Sequence, residues 1–279
     1  MEIEQLRVRD DGRVIYVVVD KDNCTSLGSL FDNSFNYKSV RYLCFELREY
    51  VKEIDLSQVP LFPGLDRLGF RTFHQGISKT RTIQVNFHQF AGHEHLEILE
   101  LGHIPISLSK ISAFQKLKTI HLAALGSSMQ QINLSSFSSL KDVTIAGSSR
   151  TGLDLQLSTS CKDFTITGFN KVEDYDFLNR YDWLTTLGLV LIRSLSKLEL
   201  RLPKLTSLAI VEVPDLKVIS CKDMQLESLT LTRCQLLKAA DVIMLCEQTQ
   251  CKFLSLGLTK RVEDQVRNRM IGQPINLNF

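Results

Sequence analysis

The histidines of this chain are the residues whose type and spacing come nearest to a metal site. All six fall between residues 74 and 121, and His93 and His95 flank Glu94. Histidine is the commonest metal ligand in proteins. Structural zinc sites have short fixed spacings and usually include cysteines, and this stretch matches no such pattern and holds no cysteine. The sequence therefore predicts exposed loop histidines and no metal site.

A pair of carboxylates is the second arrangement that could do chemistry. Asp142 and Asp163 occupy equivalent positions of a repeat, which would place them about 5 Å apart on neighbouring strands. That separation suits a retaining glycoside hydrolase, although such a pair is more often two like-charged neighbours on a solvated sheet. The chain has no Gly-rich phosphate loop, Gly-x-Ser-x-Gly or His-Glu-x-x-His motif. We therefore predict no catalytic residues, no cofactor, no small-molecule substrate and no enzyme activity.

The elements that must position these residues follow from a repeat of the form apolar-x-x-apolar-x-apolar. Its last two apolar residues are two apart, so on a strand they point to the same face. A fixed period of this size is typical of a solenoid, whose units bury their apolar faces only against neighbouring units. Seven copies begin 21 to 23 residues apart, at Leu96, Leu117, Leu140, Cys161, Leu184, Leu205 and Leu226.

The segments between these strands also alternate, as Leu198, Leu200 and Leu202 do, which predicts extended return segments. Looser copies of the repeat begin at Val40 and Leu65. We predict one solenoid domain over residues 1–279. It comprises an N-terminal cap (1–37), repeats (38–256) with a helix inserted at 236–247, and a C-terminal cap (257–279) whose helix covers 260–271.

The pattern resembles that of the leucine-rich repeat family over residues 40–256. The resemblance implies an α/β solenoid with a parallel inner sheet, extended return segments and capping elements. The family usually carries Asn or Cys eight residues after the first Leu of each unit, and here only Cys234 fits. The asparagine ladder of the family is therefore absent, and a parallel β-helix is the alternative fold.

The resemblance also implies that protein partners bind on the concave face, at the positions that flank the inner leucines. From residue 140 onward these positions hold mostly Ser, Thr, Gly and Ala, whereas the first half carries the types that dominate binding energy at interfaces. The competing interpretation is that these residues of the first half are ordinary charges in solvent. The predicted partner-binding residues are Tyr42, Glu46, Arg67, Arg71, Glu100, His103 and His121.

Composition narrows the class of partner. A net charge of +2, from 33 basic and 31 acidic residues, gives no bulk attraction to nucleic acid or to an anionic membrane. Basic strips at 67–81 and 260–269 lack the interleaved aromatics of single-strand binders. Seven scattered cysteines do not form a disulfide framework, and neither a secretory signal nor a membrane-spanning stretch is present. We expect an intracellular protein, in the cytoplasm or nucleus.

The sequence thus predicts a non-catalytic protein–protein interaction module, such as an adaptor or the substrate receptor of a ubiquitin ligase. Residues 1–37 show no helical segment of the F-box type, which leaves the ligase role open beside a scaffold role. The alternatives are a nucleic-acid-associated scaffold protein and a carbohydrate-active β-solenoid.

Overall fold

The computed structural model describes residues 6–8, 13–22, 24, 26–31, 37–57, 59–72, 83–90, 93–102, 111, 114–123, 131–147, 154–172 and 174–278. The chain forms two compact units, Met1–Lys141 and Asp142–Phe279. Each contains a mostly parallel sheet of short strands that pair in steps along the chain, consistent with a repeat solenoid. The prediction of one domain over 1–279 stays a prediction.

The main sheet of the first unit starts with an antiparallel pair and continues with parallel strands. Its order is β1-β2-β3-β5-β7-β8, while β4 and β6 pair separately on the return side. Short 3-10 helices lie between strands, two of them at Phe87–Gln89 and His93–His95. The strands are β1 (Leu6–Val8), β2 (Val14–Val19), β3 (Tyr42–Leu47), β4 (Glu53–Ile54), β5 (Arg67–Thr72), β6 (Gln84–Val85), β7 (Ile98–Gly102), β8 (Thr119–Ala123) and β9 (Gln131–Asn133).

The core of the first unit is built from the apolar residues that alternate along these strands. Phe45 of β3 and Phe70 of β5 are buried, and their rings stack with centroids 5.1 Å apart. Phe87 continues the row edge-on to Phe70, and Phe114 packs edge-on to Phe87. Aromatic rings bury large apolar areas and favour these offset and edge-to-face geometries, so a row of rings fills part of the interior of this unit.

The second unit repeats the parallel arrangement with tighter regularity. Its sheet order is β10-β12-β13-β15-β17-β18-β19, and β14 pairs with β16 on the return side. The strands are β10 (Asp142–Ala146), β11 (Asp154–Gln156), β12 (Asp163–Thr167), β13 (Thr186–Val190), β14 (Lys197–Leu200), β15 (Ser207–Val211), β16 (Val218–Cys221), β17 (Ser228–Thr232), β18 (Phe253–Gly257) and β19 (Asn276–Asn278).

Two helices complete the second unit close to the positions that the sequence indicates. The first, α1 (Ala239–Thr249), begins three residues later than predicted, and α2 (Lys260–Met270) covers the predicted helix almost fully. Val266 and Met270 of α2 are buried, as their spacing on one helix face requires. Strand β19 pairs with β18, so the sheet continues beyond the point where the sequence pattern ends. Among the described residues, no helix has the length and apolar character needed to cross a membrane.

The corner after each inner strand of the second unit is held by the main chain. Leu191, Glu212 and Arg233 follow successive strands and share a left-handed backbone, with φ of 56°, 57° and 54°. The N–H of each donates to the last carbonyl of the next strand, at 2.9, 2.8 and 2.7 Å. Gly168 does the same at 2.9 Å. This row of hydrogen bonds pairs the backbone N–H groups at these corners with carbonyls of the next strand.

Because Leu191 has a left-handed backbone, replacing it by glycine should affect stability differently from a glycine placed in a strand. Replacing Leu191 by Gly removes a steric cost of about 1–2 kcal/mol for a non-glycine residue with positive φ, offset by about 0.5–1 kcal/mol of extra chain entropy. We expect Leu191→Gly to be neutral or to raise the free energy of unfolding by up to about 1 kcal/mol in urea titrations.

The adjacent strand residue provides the matched control. Val190 lies inside β13, and Val190→Gly should lower the free energy of unfolding by about 1 kcal/mol because glycine weakens strands. An equal loss of stability in both variants would contradict the role assigned to the corner.

Candidate functional site

The strongest concentration of polar and aromatic side chains lies on the first unit's sheet, on the side opposite its apolar core. We call this surface the polar face and define it by Tyr16 of β2, Tyr42 of β3, Arg67 and Arg71 of β5, and Glu100 of β7. Parallel register places Tyr42 beside Arg67 and Gly69 beside Glu100. Because side chains alternate along each strand, these residues share one side of the sheet.

Glu100 joins two strands of the polar face. The Tyr42 hydroxyl donates to Glu100 Oε2 at 2.9 Å, and Arg67 Nη2 donates to Oε1 of the same carboxylate. The Arg67 guanidinium lies 4.5 Å from the centre of the Tyr42 ring, within the range of a cation–π interaction. Tyr42 and Arg67 are therefore fixed by one acceptor and by each other.

Gly69 is the residue that lets Tyr42 reach across β5. A Cβ atom at this position would lie 2.6 Å from the Tyr42 hydroxyl oxygen and 2.9 Å from Tyr42 Cε2. Real side chains do not approach so closely, so the missing side chain of Gly69 provides the space that the ring occupies. Glycine is needed here for close approach.

Glu46 of β3 points to the same side of the sheet as Tyr42, but it has no exposed surface. Arg71 Nε donates to Glu46 Oε1 at 2.7 Å, Arg71 Nη2 donates to the same oxygen, and Arg7 Nη2 donates to Oε2. A buried carboxylate is tolerated only when it is paired and hydrogen-bonded, and two guanidinium groups meet that requirement. Both arginines also lie over the Tyr16 ring, at 4.7 Å for Arg71 and 5.8 Å for Arg7.

A cavity of about 560 Å³ opens above this cluster. Val14 and Ala123 contribute apolar surface to its lining. Its polar and aromatic lining comes from Tyr16, Tyr42, Arg67, Arg71, Glu100 and His121. The cavity therefore offers both rings and charged groups to whatever enters it.

The accessible charge of the cluster is positive. The side chains of Arg7, Arg67 and Arg71 are 40%, 41% and 48% exposed, whereas those of Glu46 and Glu100 are 0% and 24% exposed. The arginine side chains thus keep more exposed surface than the carboxylates that hold them. This arrangement favours ligands that carry acceptor oxygens.

Burial and hydrogen bonding raise the pKa values of three groups of the cluster. Burial raises the pKa of the Tyr42 phenol well above its ordinary value, and the neighbouring Cys44 and Glu100 act in the same direction. Burial also raises the pKa of the fully buried Cys44 thiol. The hydrogen bond to Glu100 raises the pKa of Arg67. Tyr42 is therefore a proton donor in hydrogen bonds, and the Cys44 thiol is not a nucleophile.

The structure brings most of the predicted partner-binding residues together. Five of them line the cavity, while Glu46 lies below it and positions Arg71 and Arg7 without being exposed itself. His103 lies outside the described residues. The five that line the cavity are Tyr42, Arg67, Arg71, Glu100 and His121.

Sequence reasoning missed Tyr16 and Arg7, and it did not predict that Tyr42 needs the space at Gly69. Tyr16 belongs to the β-rich run that was assigned to a cap, yet β2 pairs with β3 in the register of the repeats. Its position between Ile15 and Val17 shows the alternation that could have placed it on the polar face. Arg7 has no such signal, because its place depends on the antiparallel pairing of β1 with β2.

The other candidate chemistry lies in the second unit or is spread along the chain. Asp142 and Asp163 are direct register partners on β10 and β12, as equivalent repeat positions should be. No group of three or more His, Cys, Asp or Glu side chains within the described part of the chain could hold a metal ion. No protein-family model matches the chain, and no curated protein sequence matches it significantly.

Removing one arginine partner of the buried Glu46 carboxylate should strongly lower the stability of the fold. Arg71→Met leaves Glu46 buried with a single guanidinium partner, and we expect a loss of about 2–4 kcal/mol in the free energy of unfolding. Urea titration measures it, and adding Glu46→Gln to this variant should recover part of the loss because the uncompensated charge disappears.

Arg233→Met is the matched control. Arg233 pairs with Glu212, but their side chains are 69% and 37% exposed, so we expect a loss below about 1 kcal/mol. Equal losses in the two single variants would show that Glu46 does not depend on Arg71.

Gly69→Ala should displace the Tyr42 ring and break its bond to Glu100, at a cost of about 1–3 kcal/mol. The phenol pKa then returns towards its ordinary value of about 10, so one more tyrosine ionises in an alkaline absorbance titration. Because folding raises this pKa, the stabilisation due to Tyr42 is complete below about pH 10 and is lost progressively as the pH rises towards the raised pKa of the folded state.

Gly102→Ala is the control for Gly69→Ala. A Cβ at Gly102 would come no closer than 3.3 Å, to the Phe70 carbonyl oxygen, so its neighbours need shift only slightly. The prediction fails if Gly69→Ala leaves both the stability and the number of ionising tyrosines unchanged.

Proposed function

We propose that this protein is a divergent leucine-rich-repeat-like solenoid that binds another protein and is not an enzyme. The polar face of the first unit is the proposed contact surface. The observation that carries the proposal is the cavity of about 560 Å³, lined by tyrosines and arginines that are already fixed in place. An intracellular adaptor or substrate-recognition subunit would use such a surface.

The residue types support a protein interface. Tyrosine and arginine are enriched among the residues that contribute most to protein–protein binding, especially near the centre of the contact. Here Arg67 stacks on Tyr42 and Arg71 stacks on Tyr16. Glu100 and Glu46 hold these two arginines through hydrogen bonds. Side chains held in one conformation lose less entropy on binding, so more of the interaction energy remains as affinity.

The charge distribution indicates which groups the partner would present. Each arginine of the polar face keeps part of its side chain exposed, and its carboxylate partner is less exposed. Carboxylate side chains and main-chain carbonyls are the acceptors in proteins that match a guanidinium. The proposed partner therefore places an acidic or carbonyl-rich segment in the cavity, with an apolar group against Val14 and Ala123.

The test is affinity purification followed by measurement of the affinity for the purified partner. Arg67→Gln combined with His121→Ala removes contact groups but leaves Arg71 in place, so Glu46 keeps both of its guanidinium partners. We expect the wild type to capture a protein that this variant binds at least about tenfold more weakly. Arg233→Gln, which alters an Arg–Glu pair of the second unit, is the control and should bind like the wild type.

Two outcomes would overturn the proposal. Equal affinity of the wild type and the double variant, with cross-links that map to the second unit, would place the contact elsewhere. Capture of nucleic acid in place of protein, with an affinity that falls steeply with salt, would favour a nucleic-acid-associated role.

A further inference from the structure

The C-terminal end of α1 has two cysteines at its contact positions. After Thr249 the chain turns through Gln250, which has left-handed dihedral angles of φ 51° and ψ 42°. The Cys251 N–H then donates to the Cys246 carbonyl at 3.3 Å. This six-to-one hydrogen bond with a left-handed residue defines a Schellman motif. In that motif the two bonded residues commonly make a side-chain contact, and here both residues carry thiols.

The geometry of the motif suits a disulfide. A disulfide needs α-carbons about 4.4–6.8 Å apart. The backbone hydrogen bond between Cys246 and Cys251, and the hydrogen bond between their side chains, bring the two thiols close together. Both residues are free cysteines in the structure, 1% and 2% exposed.

A cavity of about 630 Å³ reaches both cysteines. Met270 and Ile275 give it apolar walls, and Glu247 and Lys252 lie at its polar side. The cavity belongs wholly to the second unit and shares no residue with the polar face. Both cysteines are among its lining residues, so a small molecule in the cavity would lie next to them.

The two thiols have unequal acidity. The Cys246 thiol donates a hydrogen bond to the Cys251 sulfur, which lowers the pKa of Cys251. The same hydrogen bond, together with burial, raises the pKa of Cys246. Other cysteines of the unit behave differently, since burial raises the pKa of Cys221 to about 12 and that of Cys234 to about 11. Cys251 is thus the more nucleophilic of the pair, because the thiolate is the attacking form.

We propose that Cys246 and Cys251 form a reversible disulfide that locks the end of α1, made by exchange with a low-molecular-weight disulfide that enters the cavity. The bond would join Cys246 of α1 to Cys251, which lies two residues before β18 begins. It would so fasten the helix to the sheet. This inference is independent of the proposed function of the polar face.

The exchange has two balanced steps. The Cys251 thiolate attacks one sulfur of the small disulfide, forms a mixed disulfide and releases one small thiolate. Cys246 then loses its proton to solvent and attacks the Cys251 sulfur, which releases the second small thiolate. Both released thiolates take up protons, so two cysteine thiols are oxidised to one disulfide while one small disulfide is reduced to two thiols.

The test treats the full chain with oxidised glutathione and identifies the products by intact mass and by peptide mapping. We expect the wild type to lose two hydrogens and to yield a peptide cross-linked between Cys246 and Cys251, which dithiothreitol reverses. Cys246→Ser should stop at the first step and carry one glutathione on Cys251. Cys251→Ser should react at least about tenfold more slowly, because the remaining thiol has a raised pKa.

Cys221→Ser is the matched control, since it removes a buried cysteine of the same unit that lines neither this cavity nor the helix end. It should form the cross-link at the wild-type rate, and circular dichroism should show all variants folded. The proposal is overturned if oxidation links other cysteines, leaves Cys246 and Cys251 as thiols, or modifies Cys251→Ser as fast as the wild type.

Discussion

Parallel pairing of equivalent strands in strict register is the constraint on which each unit depends. Within a unit, one strand of each coil pairs with its equivalent in the next, as Leu68 with Leu99 in the first unit and Leu208 with Leu229 in the second. A strand has a side-chain period of two, so a slip of one residue would turn every apolar side chain out of the core. Register therefore fixes the core and the polar face together. A coil alone could not bury its own apolar residues.

The polar face shows how this constraint produces a surface with chemical character. Placing one residue per strand in each row brings Tyr42, Arg67 and Glu100 together from three strands, and the empty space at Gly69 completes the contact. Burying the Glu46 carboxylate costs desolvation free energy, because the charge is removed from water. Its two arginine partners make burial tolerable, and the carboxylate in turn orients them. The same interaction thus stabilises the unit and fixes the arginines of the proposed contact surface.

The second unit holds its corners with hydrogen bonds of the main chain. Its corners rely on left-handed residues whose N–H groups donate to the next strand, and three of these residues are not glycine. The local cost of that conformation is outweighed because each hydrogen bond satisfies a backbone group that the turn would otherwise leave unpaired. The end of α1 follows the same rule at Gln250, where a left-handed residue allows the six-to-one bond and brings Cys246 and Cys251 together.

The sequence by itself determined the strands, their parallel order and most of the core. The spacing of Leu99 and Leu101 in one unit, and of Leu229 and Leu231 in the other, predicts residues that are buried in the structure. Helix α2 and the adjacency of Asp142 and Asp163 also follow from local pattern. These features are local or periodic, so hydrophobic alternation records them directly.

Only the tertiary structure decided how the polar side chains pair. Tyr42 and Glu100 are 58 residues apart in sequence, and Arg7 and Glu46 are 39 apart. The contact of Arg7 depends on the antiparallel pairing of β1 with β2. The contact of Tyr42 with Glu100 depends on Gly69 in the strand between them. A polar residue on a strand shows only which face it occupies. Which neighbour it meets, and whether it stays in water, depends on the side chains packed around it.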